Sequence, residues 1–334
     1  MSGLAALAGC GACQGTPGEP VTPAIPGGDA PAQLTYAEHG TGASRVVEVR
    51  WEGAVDSRGR VDADRVRTML QGAVERLMGS ASPWSEWTRA TERIGIKVNS
   101  IDCQAFSHPE LAGALAGSLV AAGADPARVT VWDRDTDGLR NRGYAIDRTG
   151  KTLGYRCLGT DGTGDQPGSP KAVVAGGSTV HLSPLLTGSD LLFNVAALKD
   201  HSMAGVTLSL KNNLGMIWGA ERLHGKFQQG SGCEPGISDL AALPDVRQRL
   251  QLVVLDALVG ICEGGPGPTA PGHVFRHAGL LVSRDPVALD RRGLAIIEAR
   301  RARLGLGPLA GRKKPNPSPT VHIDNAAAKL GTSA

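Results

Sequence analysis

Three short clusters combine an ammonium with groups that can orient a ligand or move a proton: Lys97-Val-Asn99, Lys199-Asp200-His201 and Lys211-Asn212-Asn213, with His224 a short stretch beyond the third. Lysine donates to oxyanions, asparagine offers a donor and an acceptor, and histidine titrates near pH ~6.5, so these types together suit a small carboxylate- or phosphate-bearing molecule. Lys97, Asn99, Asp133, Thr207, Lys211 and Asn212 are the candidate ligand-binding residues, and His201, His224 and Lys199 the candidate catalytic ones. Polar residues also gather at strand ends simply because the chain emerges there into solvent. One cluster would mean no more than that; three with flanking Asn or His weigh toward a site. His108 lies in Ser107-His108-Pro109-Glu110, a helix capping box whose geometry accounts for it equally well without chemistry.

Other motifs fail on their own terms. Asp133, Asp135, Asp137 and Gly138 match the first half of a calcium loop, but its twelfth position is Tyr144, and Arg134 and Arg140 can pair the carboxylates. Gly150-Lys151-Thr152 lacks the first glycine of a P-loop, and the glycines at 159, 162 and 164 run into Pro167 and Pro170 where a dinucleotide-binding helix should start. No G-x-S-x-G nucleophile elbow is present. The six cysteines are dispersed; Cys10 and Cys13 form the one C-x-x-C, and the four later ones can pair or stay buried as thiols.

The elements that must hold the clusters follow from periodicity. Residues 46–51 alternate as a strand, 62–78 carry apolar residues at helical spacing, 93–98 form a strand, 107–122 a helix and 129–132 a strand, which is a βαβ succession. Residues 190–198, 251–258 and 280–283 read as buried strands, and Asp285-Pro286 opens a helix to about 304. Residues 204–210 alternate, placing Thr207, Ser209 and Lys211 on one polar face that would wall a site. The expected fold is α/β, a mostly parallel Rossmann-like sheet with helices on both faces, in one body or two lobes.

Glycine and proline, 46 and 21 residues, are about a fifth of the 334 residues against a usual ~12%, and aromatics are 4%, so loops are many and the core is built from Ala, Val and Leu. The formal charge of +3 is too small and too scattered for phosphate-backbone binding, which argues against a nucleic-acid partner. No run reaches the ~18 apolar residues of a membrane span. Leu7-Ala8-Gly9-Cys10 is the pattern cleaved before a lipid-modified cysteine, followed by a Gly/Pro-rich stretch that suits a tether. Only nine residues precede Cys10 and none is basic, so the leader would be truncated. The expected organisation is a leader and tether over 1–40, one α/β domain over 41–311 and an extended tail over 312–334. Lipidation of Cys10 would hold the body in the periplasm or cell envelope; if Met1 is the true start, the protein is cytoplasmic.

The segment from Leu192 to Ile217 resembles the signature of the bacterial and archaeal family known as domain of unknown function 362, in which a strand ending in Lys-x-His precedes G-V-T-x-x-x-K-N. The resemblance extends to Ile96-Lys-Val-Asn99 with the later His108-Pro109, to Ile237-Ser-Asp-Leu240, to Val254-Leu-Asp-Ala257 with Glu263-Gly-Gly-Pro266, and to Ser283-Arg-Asp-Pro-Val-Ala-Leu-Asp290. It covers roughly residues 45 to 300. It implies no particular reaction. Some members resemble iron–sulfur proteins through an attached ferredoxin-type module, but this chain lacks the four closely spaced cysteines such a cluster needs, so no cofactor is implied. Members frequently resemble exported proteins. Two readings stand: an enzyme that holds a small anion between Lys97, Lys199 and Lys211, with His201 or His224 as acid or base, or a non-catalytic accessory protein of a redox pathway, in which His201 or His224 joins Asp133, Asp239 or Asp256 on a metal. The sequence leaves the oligomeric state open.

Overall fold

A computed structural model describes residues 24–27, 31–88, 92–102, 104–162, 171–223, 233–267, 269–312 and 321–332. Cys10, Cys13, Cys103 and His224 lie outside the described residues, as does the lipobox. The β-strands are β1 (Thr35–His39), β2 (Val46–Arg50), β3 (Ile94–Lys97), β4 (Val129–Asp133), β5 (Arg156–Gly159), β6 (Lys171–Ala175), β7 (Ser178–Leu182), β8 (Leu191–His201), β9 (Gly205–Val206), β10 (Ile217–Trp218), β11 (Leu250–Ile261) and β12 (Val274–Ser283). The helices are α1 (Ala63–Met78), α2 (Pro109–Ala121), α3 (Thr136–Asn141), α4 (Pro184–Thr187), α5 (Leu208–Asn212), α6 (Gly236–Ala242), α7 (Pro244–Arg247), α8 (Pro286–Arg303) and α9 (Val321–Leu330).

Period-two alternation sorts each central strand onto two cores. Phe193, Val195, Leu252 and Val254 face α1 and α2, whereas Leu192, Ala196, Val253 and Leu255 face α5, α6, α8 and α9. Both faces are therefore covered, which is why β8 and β11 are apolar almost throughout. The main sheet runs β1-β2-β12-β11-β8-β3-β4-β5, with β9 paired to β8. The strands from β11 to β5 are parallel, and β12, β2 and β1 extend the sheet antiparallel. A small antiparallel sheet, β10-β7-β6, stands apart from it. From β3 the chain proceeds to β4 and β5 on one side, then returns to β8 and β11 on the other. The order thus reverses between β3 and β8, and the crevice beyond their carboxyl ends is where open α/β sheets receive ligands.

Helix starts follow the sequence where a side chain caps them. Asp62 accepts from Asp64 N and Arg65 N at α1, and Asp285 accepts from Val287 N and Ala288 N at α8, with Pro286 in the first turn. The capping box at α2 is not formed. His108 is the N-cap but its side chain makes no capping bond, and the Ser107 hydroxyl is taken by the Val195 carbonyl at 2.7 Å while it accepts from Asn99 N at 2.9 Å.

Two expectations are corrected. The alternating strand over 204–210 ends after Val206: Leu208 takes a left-handed φ of 48° and opens α5. The carboxylate of Asp290 on α8 accepts from the Ser209 amide (2.8 Å), the Leu210 amide (3.0 Å) and the Ser209 hydroxyl (2.6 Å), so a tertiary cap overrides the local strand pattern. Thr207, Ser209 and Lys211 consequently do not share one strand face. The tail is not extended throughout either, since α9 packs His322, Ile323 and Ala326 inward, joining the core shared with α6. No helix among the described residues is long and apolar enough to cross a membrane.

Candidate active site

The parallel strands deliver their charged residues to one end of the sheet. Lys97 closes β3, Asp133 closes β4, and Lys199 and His201 close β8. Lys97 Nζ lies 2.7 Å from Asp133 Oδ1, both side chains 1% exposed, and it also donates to the Val98 carbonyl at 2.6 Å and to Asn212 Oδ1 at 3.3 Å. Burial pulls Lys97 below the usual lysine range against the attraction of Asp133. Burial pushes the Asp133 carboxyl up, but Lys97, the Ser100 hydroxyl and the Arg134 amide outweigh it and hold it low. Gly215 passes directly over this pair; a Cβ there would lie 2.5 Å from Lys97 Nζ, so the position requires glycine.

Asparagines carry the network across the crevice. Asn212 Oδ1 accepts from Asn99 Nδ2 at 3.0 Å, and Asn99 Oδ1 accepts from Lys199 Nζ at 2.8 Å. Lys199 donates also to the Ala105 carbonyl, and Asn212 Nδ2 donates to Asn194 Oδ1 at 2.7 Å. Lys97, Asn99, Asp133, Lys199 and Asn212 are thus brought together, but Lys97 is spent on Asp133 and the amides on one another. Burial, offset by Asp102 and reinforced by Lys211, pushes Lys199 down to about 8.

Lys211 differs. Its ammonium has no hydrogen-bond or ion-pair partner among the described residues, and its side chain is 8% exposed. Burial, opposed by the attraction of Cys233 and aided by a smaller repulsion from Arg134, brings it down to about 8. Near it α9 inserts His322, whose Nε2 is buried without a partner; burial and the Lys211 charge hold that imidazole down at about 3, hence neutral. Thr207, whose backbone amide donates to the Lys199 carbonyl at 2.9 Å, likewise has its hydroxyl buried with no partner among the described residues. Buried polar groups are normally satisfied, and here His322 Nε2 and Thr207 Oγ1 are two that are left without a partner among the described residues.

The histidines sort by their bonds. His201 Nδ1 accepts from Met203 N at 3.0 Å and Ala204 N at 3.1 Å, which leaves Nε2 as the ring nitrogen that carries a proton. His108 has the opposite arrangement: Nδ1 lies 2.8 Å from Asp256 Oδ2, which also receives the His108 amide, leaving Nε2 as the working nitrogen. Burial lowers His108, but Asp256 outweighs it and raises the ring above its ordinary value. Phe106 packs against His108 at 4.7 Å between ring centroids, and the Arg142 guanidinium lies over Phe106. This dyad was not legible as such; its one signal was an aspartate in an otherwise apolar strand, Val254-Leu-Asp-Ala257.

Asp133, Asp239 and Asp256 do not gather: they engage Lys97, Lys329 and His108. Among the described residues no three His, Cys, Asp or Glu side chains converge as metal ligands. Asp135 caps α3 through Gly138 N, and Asp137 pairs with Arg140, so the acidic run is structural. Cys157 and Cys262 are buried thiols pushed up to about 12 and about 11 by burial.

The family model described as "Domain of unknown function (DUF362)" matches residues 94–295, more than half of the chain and every strand that lines the crevice. The chain belongs to this family. No curated protein sequence matches it. Among solved structures it is similar to the lactate racemase apoprotein from Thermoanaerobacterium thermosaccharolyticum, at 11% identity and a TM-score of 0.37, over 70% of this chain and 55% of that one. The chain therefore spans about half the length of that structure.

Proposed function

We propose that this member of the DUF362 family is an enzyme acting on a small carboxylate- or phosphate-bearing molecule in the crevice beyond β3, β4 and β8. The observation that carries the reading is Lys211: a buried lysine whose ammonium has no hydrogen-bond or ion-pair partner among the described residues, held at about 8. An unpaired buried cation costs stability unless an anion joins it, and the anion's arrival restores the charged form. The Lys97–Asp133 pair and Asn99, Asn212 and Lys199 form the rigid floor that fixes Lys211 and Thr207. Neutral His322 offers a polar contact, His108, oriented by Asp256, exchanges a proton with the substrate, and His201 remains a candidate acid or base. His224 remains a candidate acid or base outside the described residues. We place the protein outside the cytoplasm, lipid-anchored through Cys10, on the lipobox pattern alone.

A thermal-shift screen of carboxylates and phosphate esters against the wild type and Lys211→Met tests the binding half of this reading. Ligands that stabilise the wild type and not Lys211→Met support it, and turnover of such a ligand should fall ~100-fold or more in His108→Gln. Ligands that stabilise both proteins equally would contradict it.

A further inference from the structure

The segment that follows β4 carries a guanidinium to the same end of the sheet. Arg142 terminates α3: its amide returns to the Leu139 carbonyl at 3.0 Å, and Gly143 then turns the chain at a left-handed φ of 82°. Buried Tyr144 donates its hydroxyl to the Ser107 carbonyl at 2.6 Å, which clamps the turn against the start of α2. The clamped turn sets the Arg142 guanidinium over the Phe106 ring, 5.6 Å from its centroid, and that ring packs on His108 at 4.7 Å. Arginine, aromatic ring and proton-transferring imidazole thus form one stack, with Asp256 fixing the imidazole at its far end.

The charge on this stack is not spent within the described residues. The Arg142 side chain makes no hydrogen bond or ion pair among them, and its Nε is buried. Asp102 is the carboxylate that attracts it, but Asp102 accepts from the amides of Gln104 (2.8 Å), Ala105 (3.4 Å) and Gly267 (3.3 Å), and burial outweighs its attraction and lowers Arg142 from the usual arginine range. Beyond burial and the attraction of Asp102, the Lys199 ammonium is repelled by Lys211 and by Arg142, so the three cations share one crevice. A guanidinium presents its donors as a planar fork that matches two oxygens of a carboxylate or phosphate, and stacking on an aromatic ring fixes the plane of that fork. We infer that Arg142 determines specificity in the crevice by receiving a second oxyanion of the substrate, carboxylate or phosphate, while Lys211 takes the first. The substrate class is then a small molecule with two acidic ends. The inference rests on the reading of the crevice as an anion-binding active site. Because the fork stands on the ring that packs on His108, an anion held there brings its adjoining carbon to the side of the crevice where the imidazole works.

Isothermal titration of the full chain with malonate, succinate, glutarate and phosphoglycolate, against butyrate as the single-ended probe, tests this on the wild type, Arg142→Gln, Arg142→Lys and Lys211→Met. Each variant is checked for an unchanged far-ultraviolet spectrum. The best two-ended probe should bind the wild type at least ~10-fold more tightly than butyrate, and Arg142→Gln should reduce that preference to ~2-fold or less. Arg142→Lys, which keeps the charge without the fork, should fall between the two, and Lys211→Met should weaken two-ended probes and butyrate alike. A two-ended preference that survives Arg142→Gln would overturn the inference and leave the role of Lys211 standing; phosphoglycolate or a dicarboxylate as the preferred probe tells which oxyanion Arg142 takes. Binding unchanged in Lys211→Met, or no binding of any probe by the wild type up to ~10 mM, would overturn the inference together with the reading it rests on.

Discussion

Replacing Asp133 by alanine strands the Lys97 ammonium at 1% exposure with two neutral acceptors, the Val98 carbonyl and Asn212 Oδ1. Removing one partner of a buried pair costs ~3–5 kcal/mol. An independent route gives the same size: if Lys97 escapes by losing its proton at pH 7, it forgoes protonation from an unfolded value of ~10.4, about 3.4 pH units, or ~5 kcal/mol. The two routes differ in pH dependence. In Asp133→Ala the folded state holds Lys97 neutral while the unfolded state binds the proton, so stability rises with pH up to ~10.4. The gap between wild type and variant should therefore narrow by ~1.4 kcal/mol per unit from pH 7 to 9. Urea denaturation at pH 7, 8 and 9 measures it. A cost below ~1 kcal/mol would refute the claim that the pair is a dry ion pair supporting the site, and a gap of ~3–5 kcal/mol that does not change with pH would refute the deprotonation of Lys97 in the variant. The converse substitution is gentler, because Asp133 without Lys97 keeps the Ser100 amide, the Ser100 hydroxyl and the Arg134 amide. Lys97→Met should cost less than Asp133→Ala.

Lys211→Met should stabilise the protein at pH 7: a lysine at about 8 when folded and ~10.4 when unfolded carries a penalty of ~3 kcal/mol below pH 8, relieved as pH rises to ~10.4, and the variant lacks both penalty and slope in thermal melts. Burial pushes Asp290 up to about 7, so wild-type stability should fall by at most ~4 kcal/mol between pH 4 and 7 on its account, and Asp290→Asn should flatten that limb of the denaturation profile. His108 is raised by Asp256, so its contribution is complete below pH ~6.5 and fades as pH rises through its folded value; in Asp256→Asn, imidazole NMR should find the ring titrating lower than in the wild type.

The parallel core was legible because apolar runs at 190–198 and 251–258 have no other use, and because Asp62 and Asp285 announce their helices with side chains that do cap. The clusters at 97–99 and 199–201 were legible because strand ends are where α/β sheets place chemistry. What failed was non-local. Nothing between 204 and 210 tells that Asp290, some eighty residues on, turns an alternating stretch into a helix. Ser107 and Glu110 spell a capping box, yet the hydroxyl is drawn off by the neighbouring strand. Periodicity could not separate Lys97, which is neutralised, from Lys211, which is not; that distinction depends on which strand end lies opposite.

The central claim is that Lys211, buried and without a partner among the described residues, receives an anion. NMR of protein labelled at the lysine ε-carbon, assigned by comparison with Lys211→Met, measures it directly. The account predicts titration near pH 8, moving upward when a ligand from the carboxylate and phosphate-ester screen is added. Titration at an ordinary ~10.4 that no such ligand moves would contradict it.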